Sequence, residues 1–192
     1  MKSCLLCGVG GQGTVLASRI LASAAMDQGM FARTAETIGM AQRGGCVVSH
    51  VRFGEDVSSP LIPHGKADVI IGFEPGEAVR CLPFLKKGGV VIVCKKAVQP
   101  VTASLTGSDY SGEAMLAYLK SKVEKCIVID GERICNQCGS DKVLNTALVG
   151  AVIKCGALDL PLSAIEKVIE ERIKPRFVEM NKQALKAGYD LA

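Results

Sequence analysis

The residues closest to chemistry stand near the start of the chain, where Gly8-Val9-Gly10-Gly11-Gln12-Gly13 satisfies the spacing G-x-G-x-x-G. Between a strand and a helix, such a loop lets backbone amides approach an anion, and the positive end of the helix dipole holds it. Phosphate binding is therefore the first chemistry to consider, with Gly8, Gly10, Gly11, Gln12, Gly13 and Thr14 as candidate ligand-holding positions. A nicotinamide or flavin dinucleotide also needs an acidic residue about 20 positions on, to meet the ribose hydroxyls. Glu36, 23 positions after Gly13, is the nearby candidate. It is expected to lie past the end of the second strand, so the dinucleotide match is loose. The remaining readings are a loop needed only for strand–helix packing, and a loop for another anionic ligand or a partner surface.

A second glycine-flanked run, Gln42-Arg43-Gly44-Gly45, falls in an irregular stretch from Glu36 to Gly45. An arginine there suits bidentate recognition of phosphate, or an interface contact. The chain has two histidines, His50 and His64. His50 alternates with Val51 in an expected strand and reads as structural, and His64 sits on a Pro/Gly connection and reads as solvated. Neither is a candidate base. Two C-x-x-C pairs occur. Cys4 and Cys7 are three apart in an extended segment, so they face opposite sides and share no ligand. Cys135 and Cys138 are expected in a turn before a helix, where they would be plain thiols, half of a metal site, or a redox pair.

These residues need elements to position them. Residues 2 to 7 read as a strand and the glycines as the following loop. A helix with Leu16, Ile20 and Ala24 on one face then closes at Gly29. Strands are expected at Phe31 to Thr34, at Cys46 to Phe53, at Ala67 to Phe73, at Val90 to Cys94 and at Cys126 to Ile129. Glu74 to Glu77 opens a helix reaching Leu85, with Pro75 in its first turn and Gly88-Gly89 ending it. Another helix runs from Glu113 to Lys122, and residues 96 to 112 show no period. After Gly139 the pattern is helical. Leu144, Leu148, Val152 and Cys155 form one stripe, Ser163 and Glu166 a capping box, and Pro175 starts a last helix before Gly188. Strand–helix alternation argues for a mostly parallel or mixed sheet with helices on both faces. The expected fold is a three-layer, Rossmann-like α/β domain over residues 1–192, with a helical C-terminal third.

Composition closes off other classes. Hydrophobic residues make up 48% and charged residues 22%, which is globular rather than disordered. Aromatic residues make up 4% and Trp is absent, which argues against nucleic-acid recognition by stacking. No apolar run approaches the ~20 residues of a membrane span. The first residues enter the glycine loop without an A-x-A-like cleavage site, so they read as a strand and not as a signal peptide. Nine cysteines in an aliphatic-rich chain fit reduced thiols, and a cytoplasmic setting is expected.

The glycine loop with Gly11 and Gln12, Gly39-Met40-Ala41-Gln42-Arg43-Gly44-Gly45, Ser49-His50-Val51-Arg52-Phe53 and Ser59-Pro60-Leu61-Ile62-Pro63 together resemble one family. So do Ala67-Asp68-Val69, Phe73-Glu74-Pro75 with Glu77-Ala78 and Arg80, and Asn145-Thr146-Ala147-Leu148-Val149-Gly150-Ala151. The likeness is to the beta subunit of indolepyruvate:ferredoxin oxidoreductase, which corresponds to the gamma subunit or domain of pyruvate and other 2-oxoacid:ferredoxin oxidoreductases. It spans nearly the whole chain, and Met40 to Gly45 tilts it towards the indolepyruvate branch. The resemblance implies a non-thiamine subunit of an enzyme that oxidatively decarboxylates an arylpyruvate to an acyl-coenzyme A. Coenzyme A is then the co-substrate. Thiamine diphosphate and iron–sulfur clusters sit in the partner alpha subunit, which passes electrons to ferredoxin. It further implies a hetero-oligomer, inactive as this chain alone, in which the glycine loop and Gln42 to Gly45 shape the channel for substrate and coenzyme A. The alternatives are a free-standing NAD- or FAD-binding oxidoreductase and a non-enzymatic binding module.

Overall fold

The computed structural model describes residues 1–38, 44–99 and 110–192. Gln42 and Arg43 thus lie outside the described residues, as does most of the aperiodic stretch before Gly112. The strands are β1 (Lys2–Val9), β2 (Phe31–Ile38), β3 (Cys46–Gly54), β4 (Ala67–Gly72), β5 (Leu85–Cys94) and β6 (Lys125–Ile129). The helices are α1 (Thr14–Asp27), α2 (Pro75–Cys81), α3 (Glu113–Lys122), α4 (Gly131–Cys138), α5 (Leu144–Lys154), α6 (Leu162–Arg172) and α7 (Pro175–Leu191). Two short 3-10 turns, Leu82–Phe84 and Asp141–Val143, join them.

One six-stranded sheet has the order β2-β3-β1-β4-β5-β6. β1, β4, β5 and β6 run parallel, and β3 is antiparallel to both β1 and β2. Alternation along each strand splits the core between the two faces. Cys4, Leu6, Val69, Ile71, Ile92 and Cys94 pack with α1, α4, α5, α6 and α7. Leu5, Cys7, Ile70, Val91 and Val93 pack with α2 and α3 on the other face. The expected opposition of Cys4 and Cys7 therefore holds, as does the mixed, three-layer α/β architecture.

Several local expectations change. β2 runs on to Ile38, so Glu36 belongs to the strand, opposite Ser49. Pairing along the whole of β3 extends it beyond what its own sequence suggests. α2 ends at Cys81, and β5 already begins at Leu85. Gly88 lies inside that strand with φ 73°, at a register shift against β4, and does not terminate a helix. Leu16 is exposed, and the buried stripe of α1 is instead Ala17, Ile20, Leu21 and Ala24. No Ser163–Glu166 capping box forms. Pro161 stands at the N-cap of α6 without a side-chain cap, which puts Ser163 inside the first turn. Cys135 and Cys138 lie on a helix, α4, whose start is capped by Asp130 accepting from Arg133 N at 3.1 Å. α7 passes straight through Gly188, where a Cβ would overlap the Ala147 carbonyl of α5. Close helix–helix approach, and not helix termination, fixes that glycine.

Candidate functional site

β1, β4, β5 and β6 all end on the same edge, and in open parallel sheets ligands bind outside the carboxyl ends of the strands. β1 ends at Val9 and its chain turns through Gly10 to Gly13 into α1. The turn is shaped from within. Gln12 folds back so that its Oε1 accepts from Val9 N at 2.7 Å, while its Nε2 donates to the Phe73 carbonyl at 3.1 Å. One side chain thereby ties the loop after β1 to the end of β4. Gly8 gives it room, since a Cβ there would stand 2.7 Å from Gln12 Oε1 and from Phe73 Cβ. Gly13 is the N-cap of α1 with φ 86°, and no side chain among the described residues caps the helix. The first-turn amides of α1 are left for another acceptor.

The glycine-loop candidates, Gly8 through Thr14, are thus brought together. Gly44 and Gly45 join them: Gly45 offers its carbonyl to Gly10 N at 2.9 Å. Glu36 does not come to the loop as a ribose ligand would. β3 intervenes between β2 and β1, and Glu36 Oε1 lies 3.5 Å from Ser18 Oγ, half-way along the first two turns of α1. A dinucleotide acid belongs at the end of the strand next to the glycine loop, so this topology removes the support for a nicotinamide.

The turn after β4 carries residues to which the sequence assigned no role. Glu74 is the N-cap of α2: its Oε2 accepts from Glu77 N at 3.0 Å, and its Oε1 accepts from Tyr110 Oη at 2.6 Å. Burial first, and the Glu74 carboxylate next, push the Tyr110 hydroxyl up. Glu77 is 8% exposed; Arg80 stands 3.3 Å from its Oε1, while its Oε2 has no hydrogen-bond partner among the described residues. Cys46 faces this group, and burial followed by the Glu77 carboxylate pushes its thiol up to about 12. A cavity of about 340 Å³ opens here, bounded also by Val9, Gly44 and Met115. The sequence signal was a pair of glutamates flanking a helix-starting proline, Glu74-Pro75-Gly76-Glu77.

On the other side of the loop, a crevice of about 200 Å³ is walled by Gly11, Gln12, Lys96, Glu132, Cys135 and Leu144. Lys96 pairs with Glu132 at 2.9 Å. Cys135 is buried, which together with Asp141 pushes its thiol up to about 11, and burial also raises Cys138. Both are protonated near neutral pH, so neither behaves as an activated redox thiol. His50 Nδ1 accepts from Ile62 N at 3.2 Å, and its ring meets Phe84 edge-on, so it holds the Pro60–Gly65 connection in place. His64 is exposed and stacks edge-on against the same Phe84 ring.

Comparison with known proteins gives concordant results. The profile of the pyruvate ferredoxin/flavodoxin oxidoreductase family matches residues 3–191. The chain is 39% identical over 186 residues to the indolepyruvate oxidoreductase subunit IorB of Archaeoglobus fulgidus, covering 96% of this chain and 92% of that one. It is 36% identical over 193 residues to the subunit of the same name from Thermococcus kodakarensis, covering 98% and 94%. Among solved structures, the gamma subunit of a keto/oxoacid ferredoxin oxidoreductase from Geobacter sulfurreducens superposes with a TM-score of 0.74 at 24% identity, over 100% of this chain and 98% of that one.

Proposed function

The chain belongs to the pyruvate ferredoxin/flavodoxin oxidoreductase family, and from that premise we propose how it serves such an enzyme. It is the small subunit of a 2-oxoacid:ferredoxin oxidoreductase complex. The reaction is the oxidative decarboxylation of an arylpyruvate of the indolepyruvate type to its acyl-coenzyme A. Thiamine diphosphate and the iron–sulfur clusters belong to a partner alpha subunit, which hands electrons to ferredoxin. This chain shapes the channel for substrate and coenzyme A, and it is inactive without its partner.

The observation that carries the site assignment is the uncapped start of α1 at Gly13, at the carboxyl edge of β1. The backbone amides of Gly11, Gly13 and Thr14 suit the phosphate oxygens of coenzyme A, while those of Gly10 and Gln12 are engaged by the Gly45 and Val9 carbonyls. Gln12 contributes by fixing the loop, because both ends of its amide are already engaged with backbone. Gln42, Arg43, Gly44 and Gly45 complete the site, with Arg43 as a bidentate phosphate donor.

Co-purification tests the assembly: a thiamine-containing subunit should travel with this chain from its native source, and its absence would sink the subunit reading. Arg43→Ala in the reconstituted complex tests the site. The Michaelis constant for coenzyme A should rise about tenfold, the weight of one charge-assisted hydrogen bond. Unchanged Michaelis constants for both coenzyme A and the oxoacid would remove Arg43 from the channel.

A further inference from the structure

Among the described residues, three buried side-chain atoms have no hydrogen-bond partner: Ser49 Oγ, Arg52 Nε and Glu77 Oε2. The last is a carboxylate oxygen, and its side chain lines the cavity of about 340 Å³ at the carboxyl edge of the sheet. Arg80, which pairs with this carboxylate, is poorly placed to satisfy it. Its Nη2 lies 3.3 Å from Oε1, but the Arg80 side chain is 68% exposed while that of Glu77 is 10% exposed. The cation stays in water and the anion does not. Such a pair gains little, and the carboxylate keeps its desolvation penalty.

Glu74 brings a second buried carboxylate to the same wall. Both of its oxygens are taken, Oε2 by Glu77 N and Oε1 by Tyr110 Oη. The described wall thus carries two carboxylates against one solvent-facing guanidinium, and Glu77 Oε2 is the carboxylate oxygen left to fill. Calcium or magnesium would need about six oxygen ligands, for which one free oxygen is a poor start. A cation bearing N–H groups needs only one acceptor. Val9, Val98 and Met115 supply apolar wall nearby, which suits the aliphatic stem of a lysine or arginine whose charged head goes on to the carboxylate. The terminal torsion of a glutamate is broad, so Oε2 can turn to that head without moving α2.

We infer that this cavity receives a lysine or arginine side chain of the partner alpha subunit, whose cationic head pairs with Glu77 through Oε2. The inference rests on the chain being a subunit of an oxoacid oxidoreductase. It sets a docking point beside the glycine loop, since Val9 and Gly44 bound the same cavity. Charge complementarity decides the kind of partner surface: an unanswered buried carboxylate attracts a basic one and repels an acidic one.

The test uses the full chain and its partner alpha subunit. Association is measured by calorimetry at low and at high salt, and the chain alone is melted. Glu77→Gln keeps the shape of the side chain and removes its charge. It should weaken association about tenfold or more, and the remaining affinity should depend less on salt. Met115→Lys supplies a cation from this chain's own α3. It should raise the melting temperature of the chain and also weaken association about tenfold, because the carboxylate is then already answered. If the unmodified chain does not bind the partner, the subunit reading falls and this inference with it. If it binds, and both variants bind equally well at both salt concentrations, the docking role alone is overturned. Glu77 is then merely structural where Glu77→Gln melts earlier. Where methylammonium chloride instead raises the melting temperature of the unmodified chain and not of Glu77→Gln, the cavity belongs to a free amine.

Discussion

Two neighbouring parallel strands, β1 and β4, each hand the chain to a helix at the same edge of the sheet, and they finish the helix start in opposite ways. At α2 the protein supplies its own anion: Glu74 caps the first turn and is itself held by Tyr110. At α1 no side chain among the described residues does so, and the N-cap is a glycine with the Asn145 side chain packed beside it. α4, after β6, follows α2, with Asp130 as its cap. A helix start that carries its own carboxylate has no use for a second anion, whereas one left bare at a strand-end crevice does. On the proposed reading, the first turn is the one left for a ligand and the second serves the framework.

The strongest way to break this comparison is to fill the space between Gly13 and Asn145. Gly13→Val places a β-branched residue at φ 86° and drives its Cβ onto the Asn145 amide. Left-handed strain and overpacking together should cost roughly 2–4 kcal/mol. Thermal unfolding of the complex should show the loss, and coenzyme A binding should vanish. Retained binding would mean that the ligand sits elsewhere on the edge.

Gln12→Ala comes next. It removes both bonds that tie the loop after β1 to β4, leaving Val9 N without an acceptor. A loss of roughly 1–3 kcal/mol is expected, with faster hydrogen exchange at residues 9–13. A change confined to coenzyme A affinity, with stability and exchange unaltered, would make Gln12 a ligand instead of a brace.

Glu74 sharpens the other half. Glu74→Ala removes the cap of α2 and the partner of Tyr110, and should cost about 1–2 kcal/mol. Glu74→Gln keeps an acceptor for Glu77 N and should cost less. Neither should alter coenzyme A affinity measured by calorimetry. A tenfold change would show that both turns face the ligand.

Much of this contrast was written in the sequence. The glycine spacing placed the loop, Pro75 placed the start of α2, and strand–helix alternation gave the mixed sheet with helices on both faces. What the sequence withheld depended on contacts between distant segments. Glu36 looked like a poor ribose ligand because it was expected past the end of the second strand; it lies within β2, and strand order, with β3 inserted between β1 and β2, explains why it does not reach the loop. Gly188 read as a helix end because nothing in α7 itself announces the Ala147 carbonyl of α5 beside it. Asn145 stood in an apolar run, visible as a polar intruder, yet its relation to Gly13 spans most of the chain. Cys135 and Cys138 read as a turn because the cap made by Asp130 is a single local bond at the head of a polar helix.

The smallest effect separates the two flanks by pH. Cys135, beside the glycine loop, and Cys46, beside Glu77, have thiols pushed above their ordinary value of 9.0, to about 11 and about 12. A thiol with a higher pKa folded than unfolded stabilises the fold fully below pH 9, and that contribution is lost as pH rises towards the folded value. Melting temperature should therefore hold up to about pH 9 on this account and fall beyond it. Cys135→Ala should flatten the fall between about pH 9 and 11, and Cys46→Ala should flatten it over the wider span from about pH 9 to 12. Because Cys46 also faces the Glu77 carboxylate, Glu77→Gln should lower the pH at which the Cys46 thiol is alkylated and leave Cys135 unmoved. Equal shifts at both thiols would show that the two turns share one electrostatic environment, and the contrast between them would fail at its weakest joint.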